Sequence, residues 1–107
     1  MIVLTLEQIE SIKDAARAMY MWPNSFNGLL AQFMENRYDD TIFNPITSEN
    51  HSQALRQFVG LVIDHKEEFV SVPGHNRIFS FDAGDERSLR WAIVDAAAYH
   101  HRSKRRD

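Results

Sequence analysis

A stripe of apolar side chains at helical spacing constrains the fold more than any other feature of this sequence. Apolar residues recur there at i, i+3, i+4, i+7 and i+8, which is the pattern of a helix with one face in a core. The stripe consists of Leu55, Phe58, Val59, Val62 and Ile63. We predict a helix over these residues, the third along the chain, capped by Ser48 and with Gly60 in its interior. It should form the centre of the core, with Phe58, Val62 and Ile63 almost fully buried.

Two further helices are expected upstream. Thr5 and Gln8 have the spacing of a capping box at the start of the first helix. Its core-facing residues should be Ile9, Ile12, Ala16 and Met19. Pro23 should end this helix, because proline disfavours helical geometry at the residue before it. The second helix should begin near Asn24 or Ser25 and fade by Tyr38.

The remaining elements are a hairpin and a last helix. The segments 69–72 and 77–81 are β-prone, and Pro73-Gly74 between them suits the centre of a type II turn. In such a hairpin Val70 would lie opposite Phe79. The last helix should begin near Asp82 or Asp85 and is apolar on two sides. The sequence therefore predicts a mainly α (α+β) fold, a four-helix single domain over residues 1–107 with a small β-hairpin between the third and fourth helices.

Composition excludes several classes of protein. The chain has 107 residues and no cysteine, so disulfides, thiolate nucleophiles and cysteine-ligated metals are ruled out. No apolar run approaches the about twenty residues that a membrane span needs. The first residues contain no basic region followed by a hydrophobic run, so we expect no secretory signal and a cytoplasmic location.

Charge is distributed unevenly along the chain. Residues 100–107 form a basic C-terminal tail with four cations against one carboxylate, whereas the first 99 residues carry a net charge of −6. An acidic body repels a phosphate backbone, but the tail and the last helix could still bind one. The candidate nucleic-acid-binding residues are Arg87, Arg90, Arg102, Lys104, Arg105 and Arg106. The same residues also suit a solvated helix end.

No motif for catalysis or for a cofactor is readable. The five histidines include no pair at the i, i+4 spacing of a helical metal site. There is also no G-x-S-x-G nucleophile elbow. We therefore expect no catalytic residues, no metal site and no cofactor, although a triad assembled from distant residues would leave no such signature.

The most unusual local feature is the run of large side chains from Met19 to Trp22. Met, Tyr and Trp are enriched at protein interfaces, and Met21 points away from the core-facing stripe of the first helix. Acidic residues near the end of the second helix could form a polar rim around such a patch. The predicted partner-binding residues are Tyr20, Met21, Trp22, Glu35, Asp39 and Asp40. The alternative interpretation is that Met19 to Trp22 belong to the core.

We consider three functional hypotheses for this sequence. The first is a small non-catalytic protein-binding accessory protein, for example an inhibitor of a larger nucleic-acid-handling complex of bacterial or phage type. The alternative is a nucleic-acid-binding protein that uses the last helix and the basic tail. The third, a small hydrolase or nuclease, lacks a readable catalytic constellation. The sequence identifies no protein partner, leaves homo-oligomerisation open and predicts no association with membranes.

Overall fold

The computed structural model describes residues 4–19 and 43–104. Within these ranges the chain forms three helices and one three-stranded antiparallel sheet, which makes an α+β fold. The elements in chain order are α1 (Leu6–Ala18), α2 (Glu49–Val59), β1 (Val62–Asp64), β2 (Phe69–Ser71), β3 (Ile78–Ser80) and α3 (Glu86–Lys104). The strands follow the order β1-β2-β3, so β2 is central.

The predicted four-helix architecture with a two-stranded hairpin is wrong. The described part of the chain has three helices, and the sheet has a third strand, β1. The additional strand comes from residues that the apolar stripe had assigned to the end of a helix. The predicted second helix falls within residues 20–42, which lie outside the described residues.

Gly60 is the reason for this difference. It adopts a left-handed conformation with φ of 81° and caps the C-terminus of α2. The Arg56 carbonyl accepts hydrogen bonds from the N–H groups of Gly60, at 2.9 Å, and Leu61, at 3.0 Å. These bonds close the last helical turn and release the chain as an extended strand. A glycine interpreted as a residue of the helix interior is therefore its stop signal.

The burial predicted for this stripe is wrong as well. Phe58 is 54% exposed and Val62 is 58% exposed, while Ile63 is only partly buried. Leu55, in contrast, is completely buried. Successive side chains of a strand point to opposite faces of the sheet. Val62 and Ile63 therefore lie on opposite faces, although their spacing from Leu55 and Val59 matches one face of a helix.

The sheet confirms the predicted pairing of Val70 with Phe79. Ile63 lies opposite Val70 on the other side, so these three residues form one row across the sheet. The turn after β2 is closed by a hydrogen bond from the His75 N–H to the Val72 carbonyl at 3.1 Å, with Gly74 at φ of 80°. A positive φ at this position is what a type II turn requires.

The core is built around α3 rather than α2. This helix packs against α1, α2 and the inner face of the sheet. Its buried residues are Ala92, Ile93, Val94, Ala96, Ala97 and Ala98. These residues lie on more than one side of α3, as the sequence predicts for the last helix. The small side chains let α1 approach closely through Ile12, Ala15 and Ala16, which are completely buried.

Each helix begins with a capping residue that the sequence predicts. Thr5 and Gln8 form both bonds of the capping box, at 3.1 and 2.9 Å. The Ser48 hydroxyl accepts from the His51 N–H at 3.2 Å, and the Asp85 carboxylate accepts from the Ser88 N–H at 3.2 Å.

Among the described residues, no helix is long and apolar enough to cross a bilayer.

Candidate functional site

The predicted partner-binding surface lies outside the described residues. This applies to all six of its members, namely Tyr20, Met21, Trp22, Glu35, Asp39 and Asp40. Two predicted nucleic-acid-binding residues, Arg105 and Arg106, lie outside them too. The remaining candidates on the described part of the chain are Arg87, Arg90, Arg102 and Lys104.

These four cations do not form one basic surface. Arg90 donates to the Ile46 carbonyl at 3.0 Å and pairs with Glu86 at 3.5 Å, so it ties α3 to the segment before α2. Arg102 pairs with Asp14 of α1 at 2.7 Å. Arg87 and Lys104 lie near opposite ends of α3, about 25 Å apart at ~1.5 Å per residue. Two of the four residues therefore hold the fold together.

The structure instead places a group of polar side chains around a cleft between α1, β3 and α3. This polar cleft has a volume of about 260 Å³. Its lining residues are Glu7, Ser11, Arg77, Phe79, Asp95, Tyr99 and Arg102. Residues four or seven apart lie on one face of a helix. Glu7 and Ser11 therefore share a face of α1, and Asp95, Tyr99 and Arg102 share a face of α3. The cleft contains charges of both signs.

Arg77 is positioned by the aromatic side chains beneath it. Its guanidinium carbon lies 5.1 Å from the ring centroid of Phe79 and 5.2 Å from that of Tyr99. The two rings are themselves in contact, with centroids 5.8 Å apart. Cation–π attraction to both rings holds the guanidinium over the sheet end of the cleft.

Arg102 is fixed on the opposite side by a buried carboxylate. Asp14 accepts hydrogen bonds from Arg102 at 2.7 Å and from Arg17 at 2.9 Å. Burial alone would raise the pKa of the Asp14 carboxyl, but the hydrogen bonds and charges of Arg102 and Arg17 outweigh it. The pKa of Asp14 is therefore held below its usual value, and the ion pair joins α1 to the C-terminal part of α3.

Asp95 has the opposite electrostatic character. Desolvation by the surrounding residues raises the pKa of the Asp95 carboxyl, and the negative charge of Glu7 raises it further. The positive charges of Arg102 and Arg77 lower it. The side chain remains open to the cleft on one side, and it makes no hydrogen bond to another described residue. Asp95 is thus a solvent-exposed carboxylate with a raised pKa and with no hydrogen-bond donor among the described residues.

A histidine cluster adjoins the cleft at the C-terminal end of α3. The His75 ring lies edge-on to Tyr99 and His100, with centroid distances of 5.2 and 6.0 Å. The Nδ1 atom of His100 is buried and has no hydrogen-bond partner. Burial lowers the pKa of His100, and the positive charges of Lys104, His75 and His101 lower it further. Within the described ranges, no group of three or more ligand-type side chains could hold a metal ion.

The second notable surface is the outer face of the sheet. Val62 pairs with Ser71, and Ser71 pairs with Ile78, so the three residues form a row across all three strands. Cross-strand partners point to the same side of a sheet, and this side faces away from α3. Val62 and Ile78 are 58% and 51% exposed. We call this row the outer sheet face.

Comparison with known protein families, with curated proteins and with solved structures found no match.

Sequence reasoning identified only Arg102 among the residues that line the polar cleft. The other members lie on three elements that are distant in sequence, so no local motif connects them. The only available signal is the i, i+4 spacing of Glu7 with Ser11 and of Asp95 with Tyr99, which is common on any solvated helix.

Proposed function

We propose that the protein is a small, non-catalytic accessory protein that binds a protein partner through the outer sheet face. One observation carries this proposal: Val62 and Ile78 are more than half exposed and stand in a single row across the sheet. An antiparallel sheet with one face on a core usually carries polar residues on the other. Exposed apolar residues grouped on one face are typical of protein-binding surfaces.

The free energy gained by covering the two exposed side chains indicates what a partner must contact. Covering the exposed half of one valine or isoleucine side chain stabilises a complex by roughly 1 kcal/mol. Two such side chains give a weak interface unless the partner also contacts the polar residues around them. The finer form of the proposal is an inhibitor of a nucleic-acid-handling complex. Its support is the charge of −6 on the first 99 residues, which suits a basic partner surface.

We rank a protein partner above nucleic acid for a structural reason. Arg90 and Arg102 are engaged in ion pairs within the fold. A phosphate backbone would have to compete with Glu86 and Asp14 for these guanidinium groups. The proposal includes a cytoplasmic location, because a chain without cysteine needs no oxidising compartment.

The test compares three forms of the protein as affinity baits in a lysate of the native host. They are the wild type, the double variant Val62→Ser with Ile78→Ser, and the control Leu6→Ser. Leu6 is 83% exposed but belongs to α1 and not to the outer sheet face. We expect a partner retained by the wild type and the control to be depleted about thirtyfold by the double variant, which corresponds to ~2 kcal/mol.

Three outcomes decide between the alternatives. Equal capture by all three baits, with the double variant shown to be folded by circular dichroism, would refute the outer sheet face. Nucleic acid that elutes with rising salt would favour the basic residues instead. Sedimentation velocity of the purified protein tests self-association. A dimer abolished by the double variant would make a second copy the partner.

A further inference from the structure

We infer that His75 and His100 form an acid-sensitive contact between the β2–β3 turn (residues 72–77) and the C-terminal end of α3, and that this contact opens when His100 is protonated. The two rings have centroids 6.0 Å apart and are perpendicular to each other. His75 also lies edge-on to Tyr99, so two ring contacts hold the turn on the helix. The inference is independent of the proposed function, because the contact involves no residue of the outer sheet face.

The buried ring nitrogen of His100 suits the neutral imidazole and not the charged one. The Nδ1 atom is buried and has no hydrogen-bond partner among the described residues. In a neutral ring with its proton on Nε2, Nδ1 carries only a lone pair, whereas an imidazolium has N–H groups on both nitrogens. Protonation therefore places a charged donor at a buried position without an acceptor, which is the more costly of the two arrangements. The ring must move to bring that donor to water.

The charged groups around His100 also oppose its protonation. Lys104 lies one helical turn further along α3, His101 is adjacent in sequence, and His75 faces the ring from the β2–β3 turn. Desolvation is the main cause that lowers the pKa of His100, and the positive charges of Lys104, His75 and His101 lower it further. No described carboxylate forms an ion pair with His100 to offset these charges.

The Tyr99 ring already has a cation beside it. Cation–π attraction would favour a protonated His75 next to this ring. The guanidinium carbon of Arg77, however, lies 5.2 Å from the same ring centroid. A second cation at that ring is repelled by the first. The contact between the turn and α3 is therefore most stable while both imidazoles are neutral.

The direction of the pH effect follows from the lowered pKa of His100. The closed contact binds a proton less tightly than the open one, so the open form gains as pH falls below the ordinary histidine value of 6.5. Each unit by which the pKa of His100 is lowered shifts this equilibrium by about tenfold. The ordinary pKa of Asp14 is 3.8 and is lowered further in the fold, so the contact should open while the ion pairs of Asp14 are intact.

The test is an NMR titration of the full chain with ¹³C-labelled histidine and tyrosine rings, from about pH 8 to about pH 5. We expect the His100 ring resonances to titrate below pH 6.5. The NOE between the His75 and Tyr99 rings should lose intensity along the same titration curve, while far-UV circular dichroism stays constant. In His100→Gln this NOE should persist over the whole range, because glutamine is not protonated.

Two further variants remove neighbouring charges without altering His100 itself. His75→Gln should raise the proton affinity of His100 by about threefold, which is the effect of one charge ~6 Å away in water. Lys104→Gln should change it in the same direction. His65→Gln is the matched control, because His65 packs against Phe81 and should leave the titration of His100 unchanged.

Four results would overturn the inference. His100 titrating at or above pH 6.5 would show that the fold does not favour its neutral form. An NOE between His75 and Tyr99 that survives protonation of His100 would show that the contact stays closed. Loss of this NOE in His100→Gln would assign the opening to another group. Loss of circular dichroism over the same range would mean that the whole fold melts.

Discussion

Two helices pack against α3, and they are held in different ways. α1 buries six of its 13 residues, including Ile12, Ala15 and Ala16. α2 buries only two of its 11 residues, Ser52 and Leu55, and ends at Gly60, where the chain turns into the sheet. The packing of α1 is spread along its length, whereas that of α2 depends on one large apolar side chain. Mutations in α2 should therefore have either a large effect or almost none, according to position.

The largest effect should come from truncating Leu55. Leu55→Ala removes a completely buried side chain and should lower the free energy of unfolding by about 3 kcal/mol. Phe58→Ala, one helical turn away, should cost only about 1 kcal/mol because more than half of Phe58 is exposed. Urea denaturation measures both values. Equal losses would mean that α2 is packed along its whole length, as α1 is.

On the α1 side, the ion pairs of the buried Asp14 carboxylate with two partly exposed arginines should have the next largest effect. Asp14→Asn weakens hydrogen bonds to Arg17 and Arg102 and should cost about 2 kcal/mol near neutral pH. Glu10→Gln is the control, because the Glu10–Lys13 pair at 3.3 Å is on the surface and should contribute little. A loss for Asp14→Asn no larger than for Glu10→Gln would show that the α1–α3 contact does not depend on this pair.

The pH dependence of this pair has a definite sign. The pKa of Asp14 is lowered in the folded protein from its ordinary value of 3.8. Its stabilising contribution is therefore present above pH 3.8 and is lost as pH falls through the folded pKa. The wild type should lose stability over that acidic range faster than Asp14→Asn does, which urea midpoints measured at several acidic pH values would show.

The contrast between the helices also indicates how far the sequence predicts this fold. The face of α1, all three caps, the turn at Pro73-Gly74 and the Val70–Phe79 pairing depend on local signals, and they were predicted. The end of α2 was not, because apolar residues at i, i+3 and i+4 continue past Gly60 into a strand. The polar cleft was not predicted either, because tertiary packing alone brings Glu7, Arg77 and Asp95 together.

A substitution at Gly60 examines this helix end directly. Gly60→Ala places a β-carbon on a residue at φ of 81° and should cost about 1 kcal/mol. The nearest contact of that carbon would be Pro73 at 3.7 Å, so the cost comes from backbone strain and not from a clash. Gly60→Asn should cost less, because asparagine tolerates the left-handed conformation. If Gly60→Ala is stabilising, the helix continues through this position as its apolar spacing suggests.

Asp95 should produce the smallest effect, and its sign is opposite to that of Asp14. Its pKa is raised in the folded protein, mainly by desolvation, so the folded state binds a proton more tightly than the unfolded state does. Stability therefore falls as pH rises from the unfolded pKa to the folded pKa, and the ionised group is slightly destabilising at neutral pH. Asp95→Asn removes the charge and should raise the melting temperature at neutral pH while leaving it nearly unchanged in acid. A lower melting temperature at neutral pH would mean that Arg77 and Arg102 stabilise the carboxylate more than burial destabilises it. In that case the positive charges that line the cleft would outweigh the cost of removing the Asp95 carboxylate from water.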